Sequence, residues 1–277
     1  MLTADTFVRA GRLAAGSGTW GAVGRTLTGP RGRVVTMQIA LLGAFVALWE
    51  GAVAAGFIET FVYGRPSEMF AFVGGGLVDG SLWRHAGVTL MAQVLGLLVG
   101  TVVGTVIGLA LWWSPFWSRV FEPYAVILNA TPKIVIAPLL IMWFGLGIES
   151  KVMIAVLISF VVAWLGAFEG ARSADPDQQD LIRAFGGNKW ALFAKVVTPS
   201  AMPHILATLR MNVGLSLIGV ITGEFLSSTA GLGYLVDSTA KAYKMSHTLG
   251  AILAIAVIAA MQLWAISRLE RKLTSWL

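Results

Sequence analysis

This chain has no cysteine and very little charge. The first absence excludes a disulfide framework and any thiolate metal site. The second excludes a water-soluble globule. Only 12% of the 277 residues are charged and 57% are hydrophobic, against about 25% charged in soluble domains, which leaves too little polar surface to cover a compact body in water. His85, His204 and His247 lie in different stretches, so no metal cluster is expected. No Gly-Lys pair occurs, so a phosphate-cradling Gly-x-x-x-x-Gly-Lys-[Ser/Thr] loop cannot form. No Ser-His-Asp constellation points to an enzyme, and no internal repeat of the kind found in inverted-repeat transporters is visible.

What fills the sequence instead is a series of apolar runs, each close to the ~20 residues that cross a bilayer as a helix. Six spans are predicted, at 34–57, 88–112, 124–144, 152–168, 202–226 and 248–266. The fold class is therefore an all-α polytopic membrane protein of about six transmembrane helices. The 32 glycines suit it, because small residues let spanning helices approach closely. Net charge is +6, and since the charges sit at the ends of the apolar runs they read as topology rather than as a nucleic-acid surface.

Arg9, Arg12, Arg25, Arg31 and Arg33 against Asp5 make residues 1–33 a basic cytoplasmic tail. The apolar run behind it is too long and too late for a secretory h-region. The alternation that follows puts 58–87 outside, with Arg65-Pro66-Ser67 as a turn and Ser81-Leu82-Trp83-Arg84-His85 opening an amphipathic helix at the outer interface. It puts 169–201 inside and 227–247 outside, although Lys241 and Lys244 oppose that assignment. The C-terminus returns inside with Arg268, Arg271 and Lys272. Both termini are then cytoplasmic, and residues 34–277 form the transmembrane domain.

The loop 169–201 is unusually rich in structure signals. Asp175 or Asp177 can cap a helix with Pro176 in its first turn. Leu181, Ile182 and Phe185, then Leu192, Phe193 and Val196, recur at helical spacing. Gly186-Gly187-Asn188 separates the two sets. A helix–turn–helix hairpin results, which either docks on a partner or folds back on its own bundle.

Three ionisable and three polar groups fall at membrane depth, where such groups are costly. Lys133, between Pro132 and Pro138, reads as an anion attractor in a pathway or as a snorkelling or paired lysine. Glu224 reads as a gate or as an interhelix pair, and Glu50 as a structural pair. Asn129, Asn212 and Ser216 either line a pathway or bond between helices, the second being the default.

The hairpin resembles the loop of permease subunits in bacterial binding-protein-dependent ABC importers. That family's pattern is Glu-Ala-Ala, three residues, Gly, nine residues, then Ile-x-Leu-Pro. Here Asp180-Leu181-Ile182, Gly186 and Val196-Val197-Thr198-Pro199 keep the spacing, with Asp for Glu, Leu-Ile for Ala-Ala, Val for Ile and Thr198 for Leu. Trp49-Glu50, Pro132-Lys133, the stretch from Ala137 to Gly147, Ser150-Lys151, Gly170-Ala171-Arg172-Ser173, Leu209-Arg210, Ile218-Gly219-Val220, Glu224 and Gly231-Leu232-Gly233-Tyr234 are similar to the nitrate/sulfonate/taurine-type branch.

The resemblance implies a type I importer permease fold in the bacterial inner membrane. It also implies two ATPase subunits that hold the ATP and Mg, a second permease subunit of the same kind, an extracytoplasmic substrate-binding protein, and no cofactor on this chain. Asp180, Leu181, Gly186, Gly187 and Pro199 would couple to the ATPase. Lys133, Asn129, Asn212, Ser216 and Glu224 would be the translocation-pathway candidates. The solute would be a small anion of sulfonate, nitrate or organic-acid type, or alternatively a thiamine-precursor-like heterocycle. An ATPase-independent channel, an ion-coupled transporter or a membrane scaffold would be readings of a different class.

Overall fold

The computed structural model describes residues 30–273, so the predicted tail lies almost wholly outside the described residues. The chain divides at Glu59 and Thr60 into two compact units. The first contains one apolar helix, α1 (Pro30–Ala54), on which the Phe45 and Trp49 rings meet one turn apart, tilted by 55° with centroids 6.0 Å apart.

The second unit holds the rest. In order it comprises α2 (Thr60–Tyr63), α3 (Pro66–Val78), α4 (Ser81–Leu111), α5 (Pro115–Ala130), a 3-10 turn (Lys133–Ile136), α6 (Ala137–Phe144), α7 (Ile148–Arg172), α8 (Pro176–Ala184), α9 (Lys189–Leu192), α10 (Thr198–Leu226), α11 (Leu232–Lys241) and α12 (Met245–Leu273). Among the described residues five helices are long and apolar enough to span a bilayer, or six if one bent pair counts as a single span.

That pair corrects the predicted span 124–144. The chain from α5 into the 3-10 turn and α6 bends by 85°. Thr131 is extended (φ −72°, ψ 128°) ahead of Pro132, because a proline ring clashes with a helical residue before it. Two further readings change. Pro66 is not the centre of a turn but the first residue of α3, where its missing N–H costs nothing. Ser81 does not open a separate interfacial helix; it begins the 31-residue α4. Asp79 accepts the Ser81 N–H at 2.8 Å, and the Ser81 hydroxyl and N–H together hold its carboxyl below the usual range.

A seam of small residues organises the unit. Gly96, Gly100, Gly104 and Gly108 recur every fourth residue along α4 and face Ala155, Ser159, Ala163 and Ala167 on α7. A Cβ built on Gly100 would stand 2.6 Å from the Val156 carbonyl and 2.8 Å from the Ser159 Cβ; one on Gly108 would stand 2.5 Å from the Trp164 carbonyl. The backbones thus meet with no side chain between them, the way spanning helices associate when lipid removes the hydrophobic incentive. On its other side α7 meets α10, where Gly219 and Gly223 face Ile158, Ile154 and Lys151. Helix α7 is the buried axle of the unit, with Ile154, Ala155, Val161, Ala163 and Ala167 all at 0% exposure. Helix α12 packs across α3, where Gly250 lies against Phe72 and Met69.

Candidate functional site

Each end of the α4–α7–α10 core carries a polar grouping. At one end is the hairpin. The Asp175 side chain caps α8 by accepting the Asp177 N–H at 2.9 Å, and the Asn188 side chain caps α9 by accepting the Ala191 N–H at 2.8 Å. Between them, the Gly186 N–H reaches the Arg183 carbonyl at 2.9 Å and the Gly187 N–H reaches the Ile182 carbonyl at 2.8 Å. This closes α8 with the paired bonds of a Schellman cap. Gly186 holds φ +76°, the left-handed conformation that a side chain disfavours. Asp180 pairs with Arg183 at 2.6 Å, with 71% and 57% of the two side chains exposed. Leu181, Phe185 and Trp190 also stand exposed.

The base of the hairpin is fixed. The Lys189 Nζ donates to the Trp113 carbonyl at 2.5 Å and lies over the Trp112 and Trp113 rings at 5.8 and 5.6 Å. Trp113, Trp190 and Phe193 cluster around it. Arg172, at the end of α7, bonds Glu122 of α5 at 2.9 Å. Helix α9 passes through one π-turn (Phe193–Val197) into α10 without a break. Pro199, in the first turn of α10, has no N–H for the Lys195 carbonyl, and the widened turn lies there.

The predicted pathway residues are not brought together. Asn129 is exposed and Lys133 half-buried at the 85° bend, where the lysine Nζ donates to the Asn129 carbonyl at 2.8 Å. Asn212 is fully buried; its Nδ2 donates to the Ser159 carbonyl at 2.9 Å and to the Thr101 hydroxyl at 3.2 Å. The Ser216 hydroxyl turns back to the Val213 carbonyl at 3.2 Å. Glu224 lies at the end opposite the hairpin with 2% exposure.

Around Glu224 are groups that were not among the expected pathway residues. The Glu224 Oε1 accepts from the Thr89 hydroxyl at 2.8 Å, and its Oε2 accepts from the Gly233 N–H at 2.7 Å. Lys151, 3% exposed, donates to the Leu146 carbonyl at 2.6 Å and to the Ser227 carbonyl. A cavity of about 140 Å³ beside Lys151 and Glu224 is walled by Val88, Ala92, Leu146 and residues 228–230. Further along α4, Gln93 and Gln262 of α12 exchange amide bonds at 3.0 and 2.8 Å. A signal for these residues was present: His85, Thr89 and Gln93 are spaced by four along an apolar helix and so share one face.

Among the described residues there are five spanning segments, or six with the bent pair counted as one, and then the polar hairpin lies between the fourth and the fifth. Residues 96–275 match the family described as "Binding-protein-dependent transport system inner membrane component", and the chain belongs to that family. It is 27% identical over 252 residues to the taurine transport system permease protein TauC of Escherichia coli, covering 89% of this chain and 92% of the relative. It is 31% identical over 245 residues to the riboflavin transport system permease protein RibX of Chloroflexus aurantiacus, covering 88% and 90%. A crystal form of the inward-facing MetNI methionine ABC transporter matches the fold with a TM-score of 0.63 at 15% identity, over 71% of this chain and 98% of the matched one. The fold is that of a type I ABC importer permease.

Proposed function

We infer that this chain is the membrane pathway of an ATP-driven importer that takes a small anionic solute from an extracytoplasmic binding protein. Two ATPase subunits would seat the two hairpins of a pair of identical permeases, with both termini in the cytoplasm. The observation that carries this reading is the hairpin itself. It is capped at both helix starts and fixed at its base through Lys189 and the tryptophans, yet it leaves Leu181, Phe185 and Trp190 exposed. An exposed apolar patch on a rigid mount fits a partner better than solvent. Asp180, Leu181, Gly186, Gly187 and Pro199 then position the contact. Lys133, a cation held at a broken helix, favours an anionic cargo.

A second reading of the cargo has its own support. The relatives named for taurine and aliphatic sulfonates stand beside others named for riboflavin and formylaminopyrimidine, so a heterocycle is the competing cargo.

The test is reconstitution in proteoliposomes with a candidate ATPase and binding protein. ATP-dependent accumulation of an alkanesulfonate is expected, and Lys133→Ala should depress it. Uptake that proceeds without the ATPase would overturn the reading, and uptake of a pyrimidine but not of a sulfonate would select the second cargo. Gly186→Pro should leave the chain inserted but release the ATPase on purification.

A further inference from the structure

Helix α11 begins with Gly231 as its cap residue, which has no side chain to satisfy the free N–H groups of a helix start. Those groups are taken by other helices instead. The Gly231 N–H donates to the Nδ1 of His85 at 3.1 Å, the Leu232 N–H to the Thr89 hydroxyl at 2.8 Å, and the Gly233 N–H to Glu224 at 2.7 Å. His85 and Thr89 are one turn apart on α4; Glu224 ends α10. The Thr89 hydroxyl in turn donates a hydrogen bond to Glu224, which joins the Leu232 and Gly233 bonds into one connected set. Thr89 and Leu232 are at 0% exposure. Gly231 holds φ +115° with its α-carbon against the Glu224 carboxyl, so that a Cβ there would stand 2.6 Å from Oε2. On the far side of residues 227–231, Lys151 of α7 grips the Ser227 carbonyl and hydroxyl. The loop is therefore held from both sides by spanning helices, over the cavity of about 140 Å³.

The geometry points to Thr89 and Glu224 as positioning residues that latch the 227–231 loop shut at the end of the core opposite the hairpin, the latch opening when α4 and α10 separate. This rests on the importer reading, under which that end is the outer one. A helix start normally carries its cap in its own sequence. Here the cap is divided between α4 and α10, so any motion that parts them uncaps α11 and frees the loop. The role of Glu224 is that of a double acceptor in this set, and its charge is not what the cargo meets.

Conservative and apolar replacements separate that role from others. In Glu224→Gln the amide oxygen still accepts from Gly233, its NH₂ can donate to Thr89, and the Thr89 hydroxyl turns to the His85 carbonyl, 3.3 Å away. Glu224→Leu can do none of this. Thr89→Ser keeps the relay and Thr89→Val removes it. The experiment reconstitutes each variant with the ATPase and binding protein and measures uptake, ATP hydrolysis without binding protein, and ATPase co-purification.

Glu224→Gln and Thr89→Ser are expected within about twofold of the parent in cargo moved per ATP. Glu224→Leu and Thr89→Val should retain the ATPase but lose roughly tenfold in that ratio, with hydrolysis no longer dependent on binding protein, the scale set by losing a hydrogen bond to a carboxylate. Glu224→Gln failing as badly as Glu224→Leu would overturn the latch in favour of a charge requirement, and so would a parent-like Thr89→Val. If the apolar variants do not assemble, the loop is tested in place. The chain has no cysteine, so Val88→Cys with Ala230→Cys, which wall the same cavity, can be bridged by a short thiol cross-linker. Uptake should stop on bridging and return on reduction; undiminished uptake by the bridged complex would overturn the proposal. A parent complex that moves nothing on ATP refutes the importer reading instead, a result distinguishable from either of these.

Discussion

The two polar ends of this protein are built by opposite means. The hairpin is capped from within: Asp175, Asn188 and Gly186 each satisfy backbone groups two or three residues away. The far loop is capped from outside, by His85, Thr89 and Glu224, the first two lying 146 and 143 residues away in the chain. Local caps hold a segment's shape wherever the segment goes. Remote caps hold it only while the helices that supply them stay together. The hairpin is thus suited to move as a body, and the loop to report whether α4 and α10 have moved apart.

The largest expected effect tests what joins the ends. Helices α4 and α7 run the length of the core with glycines and alanines in contact, so a displacement at Arg172 or Trp113 is carried along a stiff pair. Gly100→Leu would force a side chain into the Val156 carbonyl and the Ser159 Cβ. Overpacking of this kind commonly costs about 1–3 kcal/mol, and the upper end or beyond is expected here because backbone atoms cannot step aside. The thermal midpoint of the detergent-purified chain should fall sharply, and both ends should lose function together. A mutant that folds normally and loses only one end would break the idea of a shared rod.

The middle-sized effects sharpen the contrast of local and remote caps. Asn188→Ala removes one N-cap, which contributes about 1 kcal/mol; Gly186→Ala places a side chain in the left-handed region at a cost of roughly 1 kcal/mol. Both changes should loosen the hairpin, read as faster backbone hydrogen exchange at 176–197, while exchange at 227–240 stays as in the parent. Thr89→Val should show the reverse. Spread of either effect to the opposite end in the absence of nucleotide would mean that the caps are not independent.

These two regions also differ in how far they could be read from sequence. The hairpin was legible almost residue by residue, because its rules are short-ranged: Asp before Pro176, Gly186-Gly187 after an apolar pair, Asn188 before Lys189. The spanning runs were legible from length and apolarity, and the seam was written openly as glycine at 96, 100, 104 and 108. The bend at Thr131 and Pro132 was only half legible. Proline predicts a disruption, but 85° depends on what the following turn packs against. The remote caps were the least legible, since the spacing of His85, Thr89 and Gln93 marks one face of α4 without saying what that face meets. Glu224 announces itself as an acid in an apolar run, but nothing within ten residues of Thr89 says that its hydroxyl meets Leu232.

The smallest effect on stability gives the cleanest reading of the hairpin. Asp180 and Arg183 pair at 2.6 Å with most of both side chains in water. Such an i,i+3 pair contributes on the order of a few tenths of a kcal/mol, and salt screens it. Asp180→Asn should therefore leave folding, insertion and hydrogen exchange at the parent level. Any loss of ATPase co-purification in that variant must come from a contact made outside this chain, since so little within it depends on the charge. If Asp180 meets a basic group on the ATPase, the loss should shrink as ionic strength rises, because the parent itself weakens toward the mutant. A loss that is the same in low and high salt would place the ATPase contact on Leu181 and Phe185 and leave Asp180 as an ordinary solvated residue of α8.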